Sequence, residues 1–156
     1  MHPNQKLIER FYACFNARDG DGMAACYAPD AEFSDPVFMG LTGAEAGAMW
    51  RMLCSRAADL QVKVSNISAN DSAGSAHWDA SYTFSKTGRK VLNSIDADFT
   101  FRNGLIQRHV DTFDLWRWAG MALGTKGQLL GWLPPVQASI RAEARKGLDA
   151  FMARAR

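Results

Sequence analysis

The chain has 156 residues, 47% of them apolar and 22% charged, with a net charge of +2. This balance excludes a disordered or collagen-like chain, and the length is that of one domain able to bury roughly 70% of its unfolded surface. No stretch nears the roughly 20 uninterrupted apolar residues of a membrane span, and Glu9 and Arg10 fall where a signal peptide needs an apolar run, so a cytoplasmic location is expected.

Leu7, Ile8, Phe11, Tyr12 and Phe15 share one helical stripe and predict a helix over about 4–17. The segment ARDGDG breaks it. Asp21 is expected to cap a short second helix carrying Met23 and Cys26, with Pro29 as its stop, and AEFSD at 31–35 predicts a brief strand. Thr42 and Glu45 have the T-x-x-E spacing in which each side chain satisfies the other's backbone N–H, and Met49, Trp50, Leu53 and Cys54 supply an apolar face for a helix over about 43–57.

The period then changes from helical to twofold. Leu60, Val62 and Val64 alternate with polar residues until the pattern slips at Ser65 and Asn66, which predicts a bulge. Three longer strands follow. Trp78, Ala80, Tyr82 and Phe84 share one face of the first, and Ile95, Ala97, Phe99 and Phe101 one face of the second. Asn103-Gly104 is a type I′ hairpin signal, since both residues tolerate positive φ, and it sends LIQRHVDTFD back antiparallel. Beyond Asp114, a Trp- and Leu-rich stretch interrupted by glycines predicts one or two short helices. After Pro134 and Pro135, Ile140, Ala144, Leu148, Phe151 and Met152 stripe a terminal amphipathic helix.

Residues 137–156 carry five cations against two anions, a balance of +3, read as a solvated helix face rather than a nucleic-acid or membrane surface. Cys14, Cys26 and Cys54 are odd in number and lack CxxC spacing; they read as small core residues, with neither a disulfide nor a zinc site.

The order of these elements over residues 4–114, with the motifs FNARDGDGM, YAPDAEFSDPV and NGLIQRHVD, resembles the nuclear transport factor 2-like superfamily. The resemblance implies an α+β fold in which a cone-shaped, curved antiparallel sheet wraps around N-terminal helices to enclose an apolar pocket. Residues 1–156 are then a single SnoaL-like domain with a core of 4–114 and a C-terminal helical extension of 115–156. Within the superfamily, Asp35 directly before Pro36 resembles the catalytic base of the ketosteroid isomerases. Two positions depart from those enzymes: Phe11 stands where they carry a tyrosine donor, with Tyr12 one residue off, and Ala97 stands where they carry a protonated aspartate.

The inward face of the last strand offers His109, Asp111 and Phe113, which resembles the SnoaL-like polyketide cyclases and the scytalone dehydratases. Limonene epoxide hydrolases need an inward arginine, and Arg108 falls on the outward face. Asp35, His109 and Asp111 are therefore the expected catalytic residues. Phe11, Phe38, Trp50 and Phe113 are expected to exclude water from Asp35 and raise its pKa, with Phe15, Trp78, Tyr82 and Phe99 completing the ligand-binding wall.

The expected function is cofactor-free and metal-free proton transfer on a small apolar carbonyl compound, as isomerase, cyclase or dehydratase. A homodimer associating through the convex face of the sheet is expected, with no nucleic-acid or membrane partner. The alternative is a ligand-binding or interaction module on the same fold. Asp35 has its own structural alternative, an Asp-Pro turn whose carboxylate bonds backbone N–H groups.

Overall fold

The structure, a computed structural model, describes residues 1–56 and 58–155. The elements are α1 (Pro3–Asn16), α2 (Gly20–Ala24), β1 (Tyr27–Ser34), β2 (Leu41–Thr42), α3 (Gly43–Arg56), β3 (Gln61–Ala69), β4 (Ala73–Phe84), β5 (Arg89–Arg102), β6 (Leu105–Thr112), α4 (Leu115–Leu123), α5 (Thr125–Leu130) and α6 (Pro134–Arg154). The expected end of the third helix at 57 and the tail's Arg156 lie outside the described residues.

The strands form one curved six-stranded sheet in the order β2-β1-β6-β5-β4-β3. β3 to β6 pair antiparallel, as the period-2 pattern requires, while β1 runs parallel to β6. The last four strands are antiparallel as expected, and the first strand joins them through a parallel pair. About 70 residues of chain separate the two strands, ample length for the crossover a parallel pair needs.

Local chemistry explains most boundaries. The Thr42 N–H donates to Glu45 Oε1 at 3.0 Å and the Glu45 N–H to Thr42 Oγ1 at 3.2 Å, the reciprocal cap that starts α3. The β3–β4 register shifts between Ser65 and Ser68, with Asn66 at φ 53°, so the bulge lies where the alternation slipped. Asn103 and Gly104 both have positive φ, 53° and 77°, as a type I′ turn demands.

Two expectations at the start of the chain are corrected. Asp19, not Asp21, caps α2, its Oδ1 accepting from the Gly22 N–H at 2.8 Å. Pro29 does not end that helix but lies on an exposed position within β1, which begins at Tyr27 rather than 31. The proline falls where the β1–β6 register is interrupted and before β2 begins to pair, so its missing N–H removes no ladder bond.

The core joins α1 and α3 to the inner face of the sheet, and Leu148 of α6 is fully buried in it. A second cluster under α4 gathers Val91, Leu115, Trp118, Ala119 and Ala122. Cys26 and Cys54 are buried and Cys14 partly so; none is in a disulfide.

α4 and α5 approach closely through Gly127, where a Cβ would overlap the Ala119 carbonyl. Gly127→Ala should therefore overpack the junction by about 2 kcal/mol, lowering Tm by roughly 4–8 °C. Thermal denaturation checks this, and an unchanged Tm would mean the two helices separate freely.

Candidate active site

The inner face of β4, β5 and β6, with α1, α3, α4 and α6, surrounds a cavity of about 630 Å³, within the roughly 300–1,000 Å³ of pockets that hold drug-sized ligands. Phe15, Phe38, Trp50, Trp78, Tyr82 and Phe113 line it. Phe11 and Phe99 are fully buried behind that wall, where their rings pack on His109 at centroid distances of 5.5 and 4.3 Å. Arg56, Lys86 and Glu143 mark the solvent-facing end of the lining, with Lys86 and Glu143 paired at 3.6 Å.

Asp35 follows β1 directly and lines the cavity. Its Oδ1 accepts the backbone N–H groups of Val37 at 2.7 Å and Phe38 at 2.6 Å, which makes it an Asx turn. The turn fixes one oxygen and leaves Oδ2 without a hydrogen bond to any described residue. Burial pushes the carboxyl up to about 7; the Phe38 N–H opposes the shift, the charge of Asp111 adds to it, and the Val37 N–H opposes it further. The turn alternative thus describes Oδ1, while Oδ2 is uncommitted.

The neighbouring charge follows from register. Phe33 pairs with His109 and Ser34 with Val110; Asp35 is the residue after the last paired one, so the register directs it toward Asp111, whose charge acts on it. Asp111 is 3% exposed and lines the cavity, whereas His109 is fully buried beneath it. A chain of hydrogen bonds runs through the pair. The Trp50 indole N–H donates to Tyr27 Oη at 2.9 Å, Tyr27 Oη lies 2.7 Å from His109 Nδ1, and His109 Nε2 lies 2.9 Å from Asp111 Oδ1, which also accepts the Trp78 indole N–H at 3.4 Å.

Proton bookkeeping fixes the direction of that chain. An indole only donates, so the Tyr27 oxygen accepts from Trp50 and keeps its own proton for Nδ1; assigned this way, a neutral imidazole carries its N–H on Nε2, aimed at Asp111. Burial raises the Tyr27 phenol well above its ordinary value, which keeps it a donor. Phe11, Phe33, Trp50 and Phe99 surround the imidazole with rings. His109 therefore bonds Asp111 and does not line the cavity.

Of the two positions that depart from the isomerases, Phe11 is fully buried and Ala97 pairs with Asp111 across β5–β6, while Tyr12, one residue from Phe11, is buried with a hydroxyl that has no partner among the described residues. Asp96 lies outside, 2.8 Å from His77 Nδ1, and Arg108 is exposed. Among the described residues no three His, Cys, Asp or Glu side chains converge as a metal-ligand set.

Sequence reasoning did not single out Tyr27, Asn93, Trp118 or the cavity wall from α6. Asn93 had a signal, since it shares the inward parity of Ile95 and Ala97 on β5. The α6 wall had none. Ile140 and Ala144 line the cavity, and Arg141 Nε donates to the Pro36 carbonyl at 2.8 Å, tying the terminal helix to the Asp35 turn.

Residues 8–109 match the family model described as SnoaL-like domain. The chain belongs to that family. Similar solved structures include an LEH-like epoxide hydrolase of M. tuberculosis (19% identity, TM-score 0.65, covering 85% of this chain and 96% of that one). A candidate polyketide cyclase of Xanthomonas campestris pv. campestris is similar at 20% identity and TM-score 0.64, over 76% and 96% of the two chains. TerC, co-crystallised with polyporic acid, is similar at 21% identity and TM-score 0.60, over 72% and 92%. At these identities the likeness shows the shared nuclear transport factor 2-like fold. No curated protein matches the chain.

Tyr27→Phe removes both the acceptor for Trp50 and the donor to His109 while preserving shape. It should cost about 2–3 kcal/mol in chemical denaturation, because two buried groups of this SnoaL-like protein lose their partner together. A loss below roughly 0.5 kcal/mol would show that the chain of hydrogen bonds carries no stability.

Proposed function

We propose that the cavity binds an apolar carbonyl compound and that the protein moves protons on it without a cofactor, as an isomerase, cyclase or dehydratase. The observation that carries the reading is a pair of carboxylates, Asp35 and Asp111, side by side in the wall of an otherwise largely apolar cavity. In the mechanism, Asp35 Oδ2 takes the proton from the carbon next to the carbonyl, and the C–H electron pair moves onto the carbonyl oxygen as an enolate. The same proton then returns from Asp35 to a carbon of the enolate, beside Asp111, whose orientation is set by His109. A raised pKa suits this role, since a base that titrates near neutrality both accepts and returns a proton readily. A homodimer through the outer face of the sheet and a cytoplasmic location belong to the same proposal.

A binding module without chemistry is the second reading. It is favoured by Phe11, which packs on His109 where a hydroxyl donor to the substrate oxygen would otherwise stand.

The test needs no natural substrate. In D2O, loss of the α-proton signals of 4-phenylcyclohexanone, followed by NMR, reports proton abstraction directly. Wild type should accelerate exchange over buffer, and Asp35→Asn should reduce that acceleration by about 10²–10⁴-fold. The rate should rise with pH to a plateau with its midpoint at about 7, because the base acts only when ionised. The folded-state value lies above the unfolded one, so ionising Asp35 costs stability as pH rises through 7. Asparagine keeps the acceptor for Val37 and Phe38 and removes that cost, so the variant should melt no lower than wild type at pH 8. Equal exchange by the two proteins sinks the catalytic reading.

A further inference from the structure

Asn93 is a polar residue of the cavity that the carboxylate pair does not use. It lies on the inner face of β5 opposite Ala80, is 8% exposed, and lines the cavity. Its side-chain amide makes no hydrogen bond to any described residue. The amide is accessible from the cavity and not sealed within the core, so it stands free to bond a molecule bound there. Tyr82 lies diagonally beside it, one step along the pairing, opposite Val91. The Tyr82 oxygen accepts the Trp118 indole N–H at 2.9 Å, which leaves its own proton without an acceptor among the described residues. The Asn93 amide and the Tyr82 hydroxyl are therefore neighbours on the cavity wall with no acceptor for their protons among the described residues.

Asn93 is distant from Asp111, whereas the Tyr82 hydroxyl lies within reach of the Asp35 charge, which adds to burial in raising the phenol. Asp111 pairs with Ala97, four residues along β5 from Asn93, which is roughly 13 Å at the rise of a strand. The walls between are apolar, with Ile95, Trp78 and Phe113.

We propose that Asn93, with the Tyr82 hydroxyl beside it, is the specificity-determining contact for a second oxygen of the ligand, a hydroxyl or carbonyl at the end remote from Asp111. The ligand is then an elongated apolar compound oxygenated at both ends, one end reacting and the other read. The assignment rests on the cavity being the ligand site proposed above.

The probes are 4-phenylcyclohexanone and 4-(4-hydroxyphenyl)cyclohexanone, rods that differ by one remote hydroxyl. Calorimetry should give wild type about 5- to 10-fold tighter binding of the hydroxylated compound, the worth of one or two hydrogen bonds to buried partners. Asn93→Leu should bring that ratio below about 2 while leaving the parent compound's affinity unchanged or tighter. The same variant should melt at or above the wild-type Tm, because it removes an unpartnered amide; a residue with a structural hydrogen bond would do the opposite.

The proposal is overturned by a wild-type ratio near one, by a ratio that survives in Asn93→Leu, or by a fall of several degrees in that variant's Tm. Proton exchange on the parent compound separates this from the catalytic reading. A hydroxyl preference that depends on Asn93, without exchange, leaves the contact standing and removes the chemistry. Failure of both compounds to bind removes both.

Discussion

The parallel pairing of β1 with β6 is the constraint on which the site depends. Asp35 and Asp111 are far apart in the chain, and nothing local relates them; the register Phe33 to His109 and Ser34 to Val110 brings them side by side on one face. Because side chains alternate with a strict period of two, a slip of one residue would send Asp35 outward and Ser34 into the cavity. The slip is resisted by Phe33, fully buried and edge-on to Trp50 and His109. The same register that packs the core therefore sets the distance between the two acids, and their mutual charge adds to burial in raising Asp35.

Below the carboxylates, the run Trp50–Tyr27–His109–Asp111 shows how a polar column survives inside aromatic packing. Each buried donor has an acceptor, so the column carries little unpaired polarity, and the rings around the imidazole hold it in one orientation. Its elements come from α3, β1 and β6, so a distortion in any of them would be felt at Asp111. Asp35 and Asn93 differ from this column. Each leaves a polar atom uncommitted toward the cavity, and that contrast separates groups that build the fold from groups available to a ligand.

Much of the fold was legible in the sequence because its signals are local. The Thr42–Glu45 cap, the slip at Ser65 and Asn66, and the Asn103–Gly104 turn each depend on two or three neighbouring residues, and each occurs where it was read. Inward faces were legible too, since parity alone assigns Trp78, Ile95, His109 and Asp111 to one side. What parity does not give is depth. It places His109 and Asp111 on the same face but does not tell that one borders the cavity while the other lies beneath it, nor that Phe11 and Phe99 back the wall rather than form it. Tyr27 was lost because Pro29 reads as a helix stop, and only the interrupted register of β1 shows why a proline is harmless there.

The terminal helix illustrates the remaining gap. Its apolar stripe was visible, but a stripe tells which face is buried and not against what. Contacts over the longest separations in the chain decide that: Arg141 to the Pro36 carbonyl, Arg145 to Glu45, and Leu148 into the core. Two of these are charge-bearing side chains that read as a solvated basic face. One of them bonds the backbone of the turn that holds Asp35, and the other bonds the glutamate that caps α3. Ile140 and Ala144 meanwhile close one side of the cavity. The extension is thus continuous with the site through both its apolar and its cationic residues. The positive charges of α6 do their work one at a time against specific acceptors, which is why their sum said so little about what the helix touches.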